Sequence, residues 1–357
     1  MLNTDDFIRQ LIFKGFSHLC VVPCSFAKNL INASINYSKQ IEYVPCSSEA
    51  VACSIAAGLK LSGKMPIVIV QSSGLTNMGS CITSLLKPYQ IQFPIIVSWR
   101  TYKEGDSEIQ HQHLSEHLTD LVEAYGYDYS ILNKNNLLDV ITQLESSNNS
   151  YQICLLEDKT FSEVKLLDTF KIDLSKYLPR SEFLISLNER LEGEDTLLIG
   201  TTGNTAREMY NFMPNTNNFY MAGNMGGALS LGIGAAKAGK KVIVCGGDAE
   251  FVMHLGGLTT AARYKNLALT YIVFDNKSNK STGGQGTDQD HIDYLKIAEA
   301  SGIKSVFDIQ SIAEFNHSLD IALSFSGISF IRAECSYDPS VPRPDKKSII
   351  ESKNVFN

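Results

Sequence analysis

Residues 241–251 read KVIVCGGDAEF and decide the fold class of the chain. An apolar run ends there in two glycines and an aspartate, and a helical pattern follows near 253–264. The next apolar run, ALTYIVF (268–274), ends in Asp275-Asn276. Strands that alternate with helices in this way form βαβ units on a parallel sheet. Because both strands are apolar along their whole length, we expect helices to cover both faces of that sheet.

The same alternation extends through both halves of the chain. It predicts strands in the first half at HLCVV (18–22), IEYVP (41–45), IVIVQ (67–71), PIIVSW (94–99) and YQICLLE (151–157), and further strands in the second half at TLLIG (196–200), NFYM (218–221) and GISFIRA (327–333). The stretch 158–180 loses the alternation. The sequence therefore predicts an α/β protein of two tandem doubly wound parallel-sheet domains, residues 1–165 and 183–357, joined by a linker at 166–182.

Composition and charge exclude several classes of function. The net charge of −7 argues against nucleic acid or an anionic membrane as a partner. The eight cysteines include no CxxC pair, which argues against zinc ribbons and thioredoxin-type redox sites. The first ten residues, MLNTDDFIRQ, lack a signal-peptide pattern, and no apolar run approaches 18 residues. These observations predict a soluble, cytoplasmic protein with reduced thiols.

Polar residues follow the two strands of the deciding stretch. Ligands of such sheets bind beyond the carboxyl ends of the strands. If the two strands are neighbours, Asp248 and Asn276 converge there, and their carboxylate and amide oxygens suit Mg²⁺. Gly246 and Gly247 let backbone amides approach a diphosphate closely. The alternative is that Asp248 and Asn276 are ordinary turn residues after strands.

A second candidate is Glu49, within CSSEAVACSIAAG (46–58). Ser47 or Ser48 can cap a helix in whose first turn Glu49 lies. Acidic residues are favoured at helix N-termini for electrostatic reasons alone, so this position also has a purely structural explanation. The helix is rich in small residues, which suits either a tight subunit interface or a buried core helix.

Together these two signals resemble the signature of the thiamine-diphosphate (TPP) enzymes. In that family a Gly-Asp-Gly is followed at a similar interval by Asn-Asn, and an acidic residue lies in the other domain. Within it, the chain resembles the phosphonopyruvate decarboxylases in an ordered set of segments: VPCSF, SSEAVACSIAAG, QSSGLTN, SWR, IQH, TTGNTAREM, GNMGGALSLGIG, GGDAEF and STGGQGT. The length leaves no room for the middle domain of larger family members. Ala249 and Asp275 depart from the family pattern, and Asp275 could pair with Lys277 or Lys280.

The resemblance implies roles for particular residues toward TPP and Mg²⁺. Glu49 would be catalytic, because a glutamate shielded from water can share a proton with N1′ of the aminopyrimidine. Asp248 and the side chain of Asn276, with the carbonyl of Ser278, would bind Mg²⁺. The Gly223 carbonyl would accept a hydrogen bond from the 4′-amino group of the pyrimidine, and Met225 would be the wedge that keeps the cofactor bent. The other predicted cofactor residues would help to hold the diphosphate: Thr202, Gly203, Gly247 and Ala249.

The implied reaction is the non-oxidative decarboxylation of 3-phosphonopyruvate to 2-phosphonoacetaldehyde, in phosphonate biosynthesis. Its substrate is a small 2-keto acid with a phosphonate or sulfonate group, which needs cationic or hydrogen-bonding partners. The candidates are Ser25, Lys28, Asn77, Arg100 and His111. His111 and His113 are predicted to lie in a polar loop before a helix near 117–125, and His111 is the preferred proton donor. The glycines of STGGQGT (281–287) suit a mobile lid.

Other functions remain open at this point. A sulfopyruvate decarboxylase would use the same chemistry on a sulfonate, and a non-catalytic TPP-binding protein would retain the same ligands. A nicotinamide-dependent dehydrogenase is disfavoured, because GIGAAK (232–237) lacks the third glycine of the fingerprint and precedes a strand. In the TPP family the cofactor lies between subunits, so the resemblance implies a homo-oligomer that is at least a dimer.

Overall fold

The computed structural model describes residues 1–100, 108–337 and 339–357, and the side chain of Ser281 is outside that description. The chain divides into two compact units. The first contains residues 1–171 and 278–286, and the second contains residues 172–277 and 287–357. The polar loop predicted after Arg100 falls largely on residues 101–107, outside the described residues.

The first unit is built on a six-stranded parallel sheet. Its strands are β1 (His18–Val21), β2 (Glu42–Pro45), β3 (Pro66–Gln71), β4 (Ile95–Ser98), β5 (Asp128–Ile131) and β6 (Gln152–Leu156). The helices are α1 (Thr4–Phe13), α2 (Lys28–Asn36), α3 (Glu49–Leu61), α4 (Ser72–Asn77), α5 (Gly79–Cys81), α6 (Ile109–Ala124) and α7 (Leu137–Ser147). Ser48 caps α3, since its hydroxyl oxygen accepts a hydrogen bond from the Val51 amide at 3.4 Å.

The second unit repeats this plan. Its strands are β7 (Thr196–Gly200), β8 (Asn217–Tyr220), β9 (Lys241–Gly247), β10 (Leu269–Asp275), β13 (Ser305–Ile309) and β14 (Ile328–Glu334). Between β10 and β13 the chain forms a hairpin of β11 (Ser278–Asn279) and β12 (Gln285–Gly286), which belongs to the first unit. The helices are α8 (Arg180–Leu191), α9 (Asn204–Phe212), α10 (Ala228–Lys237), α11 (Asp248–Met253), α12 (Gly256–Ala262), α13 (Tyr294–Ala300), α14 (Ile312–Ser324) and α15 (Lys346–Glu351).

The two sheets have the same topology. The strand orders are β2-β1-β3-β4-β6-β5 and β8-β7-β9-β10-β14-β13, and every neighbouring pair in them is parallel. In each sheet the first and third strands of the unit are neighbours, and the following strands are added in opposite directions on the two sides of that boundary. Ligands of doubly wound sheets bind at this switch point. The predicted fold class of two tandem doubly wound domains is thus confirmed, and the described residues form no third domain.

Both faces of the second sheet are covered, as the apolar strands predict. Along β9, Val242 and Val244 belong to one hydrophobic core, whereas Ile243 and Cys245 belong to another. Because alternate residues of a strand point to opposite faces, these two cores lie on opposite sides of the sheet. All eight cysteines carry free thiols, and seven of them are buried.

Several elements differ from the sequence prediction. Helix α6 begins at Ile109, eight residues earlier than expected, so the histidines expected in a loop lie in a helix. Helix α8 begins within the predicted linker, and α15 lies in a tail expected to be irregular. Strands β5 and β13 were not predicted. None of the described helices is long and apolar enough to cross a membrane.

The hairpin segment Ser278–Gly286 packs within the first unit. Gln285 is fully buried, and its amide Nε2 donates to Asn32 Oδ1 at 3.0 Å and to the Thr282 carbonyl at 3.0 Å. Gly283 has a φ of 135°, in the region that favours glycine. A Cβ there would also lie 3.1 Å from Lys28 Cγ. The segment predicted as a mobile lid is therefore held by buried hydrogen bonds in this structure.

Candidate cofactor and substrate sites

The carboxyl ends of β9 and β10 bring polar residues of the second unit together. The pairing register places Gly247 beside Phe274, so Asp248 and Asp275 follow at equivalent positions and Asn276 comes next. This confirms that the two strands are neighbours. Asp248 is buried, and its carboxylate accepts hydrogen bonds from the Ala249 amide at 2.9 Å and the Thr287 hydroxyl at 3.3 Å. Burial, and after it the negative charge of Asp275, raises the pKa of Asp248 to about 7.

Asp275 has a different partner from those predicted. Its Oδ2 atom accepts from both Nε and Nη2 of Arg332, at 3.0 and 2.7 Å, and its Oδ1 accepts from the Lys277 backbone amide. The Lys277 side chain instead lies near Asp290 and Glu334. The expected ion pair with Lys277 or Lys280 is thus replaced by one with Arg332. This pair compensates the negative charge that Asp275 adds beside Asp248.

The loops after β7 and β8 lie at the same edge of the second sheet. The Thr202 hydroxyl donates to the Ala222 carbonyl at 2.8 Å and so joins the two loops. Gly203, with a φ of 90°, precedes α9. In the second loop, Asn224 and Gly226 both have positive φ, which forms a tight turn that carries Met225 before α10. Gly223, the predicted carbonyl acceptor, directly precedes this turn.

This edge fits a metal-bound diphosphate. No atom of the described residues lies within 4 Å of a Cβ placed on Gly203 or Gly247, so there is open space beside both positions. Asp248 and Asn276 carry carboxylate and amide oxygens, which are the ligand types that Mg²⁺ prefers. The described residues contain no group of three or more His, Cys, Asp and Glu side chains able to hold a metal by themselves. A site with one carboxylate, one amide and ligand phosphates is consistent with that finding.

In the first unit, Glu49 is buried at the start of α3. Its Oε2 atom accepts a hydrogen bond from Asn77 Nδ2 at 2.9 Å. A Cβ on Gly74 would lie 2.6 Å from both Cγ and Oε1 of Glu49, so the side chain packs directly on the Gly74 backbone. Asn77, which the sequence assigned to the substrate, therefore contacts the predicted catalytic acid in this structure.

A second polar cluster of the first unit surrounds Arg100. Arg100 is buried, its Nη1 donates to the Ser25 hydroxyl, and its Nη2 contacts Glu108 Oε2 at 2.6 Å. The guanidinium lies over the Phe26 ring, 4.2 Å from the centroid. Lys28 is exposed and makes no ion pair in the described part of the chain.

His111 joins this cluster from α6. The imidazole is buried, and Nε2 lies 3.2 Å from Glu108 Oε2. Nδ1 has no hydrogen-bond partner among the described residues. His113 is exposed and contacts the His117 ring. Residues two apart on a helix are separated by about 200°, so the HxH pair does not form a chelate here.

Comparison with known protein families agrees with this arrangement. A model of the N-terminal TPP-binding domain of thiamine pyrophosphate enzymes matches residues 2–124, and a model of their C-terminal TPP-binding domain matches residues 199–333. Together the two matches cover more than two thirds of the chain. The chain belongs to the thiamine pyrophosphate enzymes.

Relatives within this family are decarboxylases. The chain is 29% identical to the phosphonopyruvate decarboxylases of Streptomyces viridochromogenes and Streptomyces hygroscopicus. These alignments cover 93% of this chain in both cases, and 88% and 87% of the two relatives. It is 28% identical to the sulfopyruvate decarboxylase of Methanosarcina acetivorans, over 87% of this chain and 86% of that protein. The chain is therefore a TPP-dependent decarboxylase related to both kinds of enzyme.

Three residues that contact the candidate site residues were not identified from the sequence. Glu108 links Arg100 and His111, Arg332 compensates Asp275, and Gly74 supports Glu49. Arg332 had a usable signal, since a single arginine interrupts the apolar run GISFIRA. Glu108 had none, because it lies in a polar stretch where most acidic residues are solvated.

Proposed function

We propose that this decarboxylase converts 3-phosphonopyruvate to 2-phosphonoacetaldehyde and carbon dioxide, with TPP and Mg²⁺. The alignments over 93% of the chain to two phosphonopyruvate decarboxylases support this substrate. The buried Arg100, which is hydrogen-bonded to Ser25, supports an acidic substrate, as does Lys28, which makes no ion pair with any described residue. A role in phosphonate biosynthesis follows if this substrate is correct.

We propose that the second unit, which contains most of the predicted domain 183–357, binds the charged end of the cofactor. Asp248 and Asn276 would hold Mg²⁺, while the segments at Gly203, Gly247 and Ala249 would border the diphosphate. Ser278, the third predicted metal ligand, belongs to the first unit. Met225 and the Gly223 carbonyl would set the conformation of the pyrimidine end. When bound, TPP supplies the electron sink for loss of carbon dioxide from a 2-keto acid.

The first unit would supply the proton chemistry. The Asn77 amide and the Gly74 backbone fix the buried Glu49 carboxylate in one position, where it would hydrogen-bond N1′ of a pyrimidine. The resemblance places these groups in different subunits, so we propose that the active species is at least a homodimer. Because Glu49 does not contact the diphosphate in this scheme, Glu49→Ala should retain TPP binding and lose nearly all turnover.

His111 would protonate the product carbon. In its charged form, Nε2–H would donate to Glu108 and Nδ1–H would be the proton available to the product. Arg100 would orient the acidic group of the substrate, and Lys28 would supply the positive charge that Glu108 does not compensate. A Lys28→Met variant should therefore raise the KM for the keto acid and leave the TPP affinity unchanged.

Sulfopyruvate is the second candidate substrate, because one relative that aligns over 87% of the chain is a sulfopyruvate decarboxylase. The test is to incubate the protein with TPP and Mg²⁺ and with each keto acid in turn, and to measure kcat/KM and the aldehyde formed. Phosphonoacetaldehyde formed with the higher kcat/KM supports the proposal. A higher kcat/KM for sulfopyruvate would favour the second candidate. TPP binding without turnover of either acid would indicate a non-catalytic TPP-binding protein.

A further inference from the structure

Glu250 is a buried carboxylate to which the proposed chemistry assigns no role. It lies in α11, two residues after Asp248, and only 3% of its surface is exposed. It makes no ion pair with any described residue. Acidic side chains are rarely buried without a paired cation, so the position requires a specific explanation.

The Glu250 carboxylate contacts the start of α10. Its Oε1 atom accepts a hydrogen bond from the backbone amide of Ala228, the first residue of that helix, at 3.2 Å. The first amides of a helix lack partners within the helix, and a carboxylate is the favoured acceptor there. This bond therefore fixes the point at which the Asn224–Gly227 turn enters α10.

The other carboxylate oxygen faces the ends of two strands. A Cβ on Gly246, in β9, would lie 2.9 Å from Glu250 Oε2. Burial raises the pKa of Glu250 to about 7, whereas the Thr201 side chain, just after β7, and the Ala228 and Gly247 amides favour the ionised carboxylate. Among the described residues, neither Glu250 Oε2 nor the buried Thr201 hydroxyl has a hydrogen-bond partner. Strands β7 and β9 flank the switch point of the second sheet.

Glu250 thus lies among the three segments that carry the predicted cofactor residues of the second unit. Thr201 precedes Thr202 and Gly203, Ala228 follows the turn that carries Met225, and Gly246 precedes Gly247 and Asp248. His254, which directly follows α11, packs against the Asn224–Gly227 turn, because a Cβ on Gly226 would lie 2.8 Å from His254 Cγ.

We propose that Glu250 is a positioning residue that holds the Met225 turn in place over the switch point, so that Met225 keeps bound TPP in its reactive conformation. This inference rests on the proposed use of TPP. It assigns the residue no contact with substrate or cofactor. Its effect is transmitted through Ala228 to Met225.

The test compares Glu250→Leu, Glu250→Gln and Met225→Ala in the full-length protein. Three quantities are measured: the Kd of TPP with Mg²⁺ by calorimetry, the thermal midpoint, and the rate of hydrogen exchange at C2 of bound TPP by quenched-flow NMR. At saturating TPP, we expect Glu250→Leu to slow exchange by about 100-fold, the usual effect of a misplacement of about 1 Å. Glu250→Gln keeps a carbonyl oxygen for the Ala228 amide and should restore exchange to within about 5-fold of the wild type, since it retains the one hydrogen bond.

A double-mutant cycle separates positioning from general stability. If Glu250 acts through Met225, Glu250→Leu should have little further effect on exchange in the Met225→Ala background. Full additivity, or wild-type exchange in Glu250→Leu, would overturn the inference. If Glu250→Leu does not fold, Glu250→Asp replaces it, because the shorter side chain withdraws from the Ala228 amide. An unchanged rate of C2 exchange in Glu250→Asp would then overturn the inference. Absence of C2 exchange in the wild type would instead reject the proposed function itself.

Discussion

The Gly74→Ala variant tests the proposed role of Glu49 directly. A Cβ at position 74 would lie 2.6 Å from Cγ and Oε1 of Glu49 and 2.9 Å from Cδ. Ordinary carbon contacts are about 3.5 Å or longer, so the Glu49 side chain has to move by about 1 Å. The Glu49 carboxylate is the end of a flexible side chain and can move without distorting the backbone. It would then lose its 2.9 Å hydrogen bond from Asn77.

Activity and stability should respond differently to this substitution. A misplacement of about 1 Å lowers turnover by about 100-fold, or about 3 kcal/mol of transition-state stabilisation. The unfolding free energy should change by no more than about 1 kcal/mol, because alanine favours the α4 helix and offsets part of the clash. The assays are kcat at saturating TPP, the Kd of TPP by calorimetry, and urea denaturation. We expect a large loss of kcat with an unchanged Kd.

Gly58→Ala is the matched control. Gly58 lies in α3, the helix that carries Glu49, and a Cβ there would have no atom of the described residues within 4 Å. The control should keep wild-type kcat and gain about 0.5–1 kcal/mol of stability. A Gly74→Ala variant with wild-type kcat would show that the position of the Glu49 carboxylate does not limit the reaction, and the assignment of Glu49 would fail.

Three further predictions concern charged groups and thiols. Asp248 has a pKa of about 7 without metal, so a proton competes with Mg²⁺ for its carboxylate below that pH. In the presence of TPP, the affinity for Mg²⁺ should therefore increase about tenfold for each unit by which the pH is raised towards 7, and level off above pH 7. A pH-independent affinity, measured by calorimetry, would contradict this. Arg332→Met should lower the free energy of unfolding, measured by urea denaturation, by about 3–5 kcal/mol, because it leaves the charge of the buried Asp275 uncompensated. Adding Asp275→Asn to this variant should recover part of the lost stability. A hydrogen bond from Cys53 lowers the pKa of Cys81 to about 7, and Cys81 is partly exposed. Iodoacetamide should therefore label Cys81 before the seven buried cysteines, which mass spectrometry of the labelled peptides can check.

Residues whose positions follow from strand periodicity could be predicted from the sequence. The apolar runs before Asp248 and Asp275 identify β9 and β10, and their parallel pairing follows from the intervening helices. Ser48 and Glu49 show the same principle, since a capping residue and an acidic first turn mark the start of α3. In these cases a local pattern fixes the backbone, and the backbone fixes which side chains meet.

Contacts between distant segments could not be predicted. His111 is polar and lies in a polar stretch, so nothing in its neighbourhood indicates that α6 starts at Ile109 and buries it. The partner of Asp275 was also missed, because Arg332 is 57 residues away and meets it only through the pairing of β10 with β14. A prediction from sequence spacing favours near neighbours such as Lys277, whereas sheet pairing selects the partner in the structure.

The hairpin Ser278–Gly286 has a consequence for any attempt to divide the protein. The polypeptide passes from the first unit to the second after Lys171, returns for nine residues, and leaves again at Thr287. Cleavage at position 171 alone would produce an amino-terminal fragment without Gln285, and Asn32 would lose a buried hydrogen-bond donor. A peptide of residues 278–286, added in trans, should restore the stability of this amino-terminal fragment. The carboxy-terminal fragment would carry the same residues as a loop that is not part of its own compact unit.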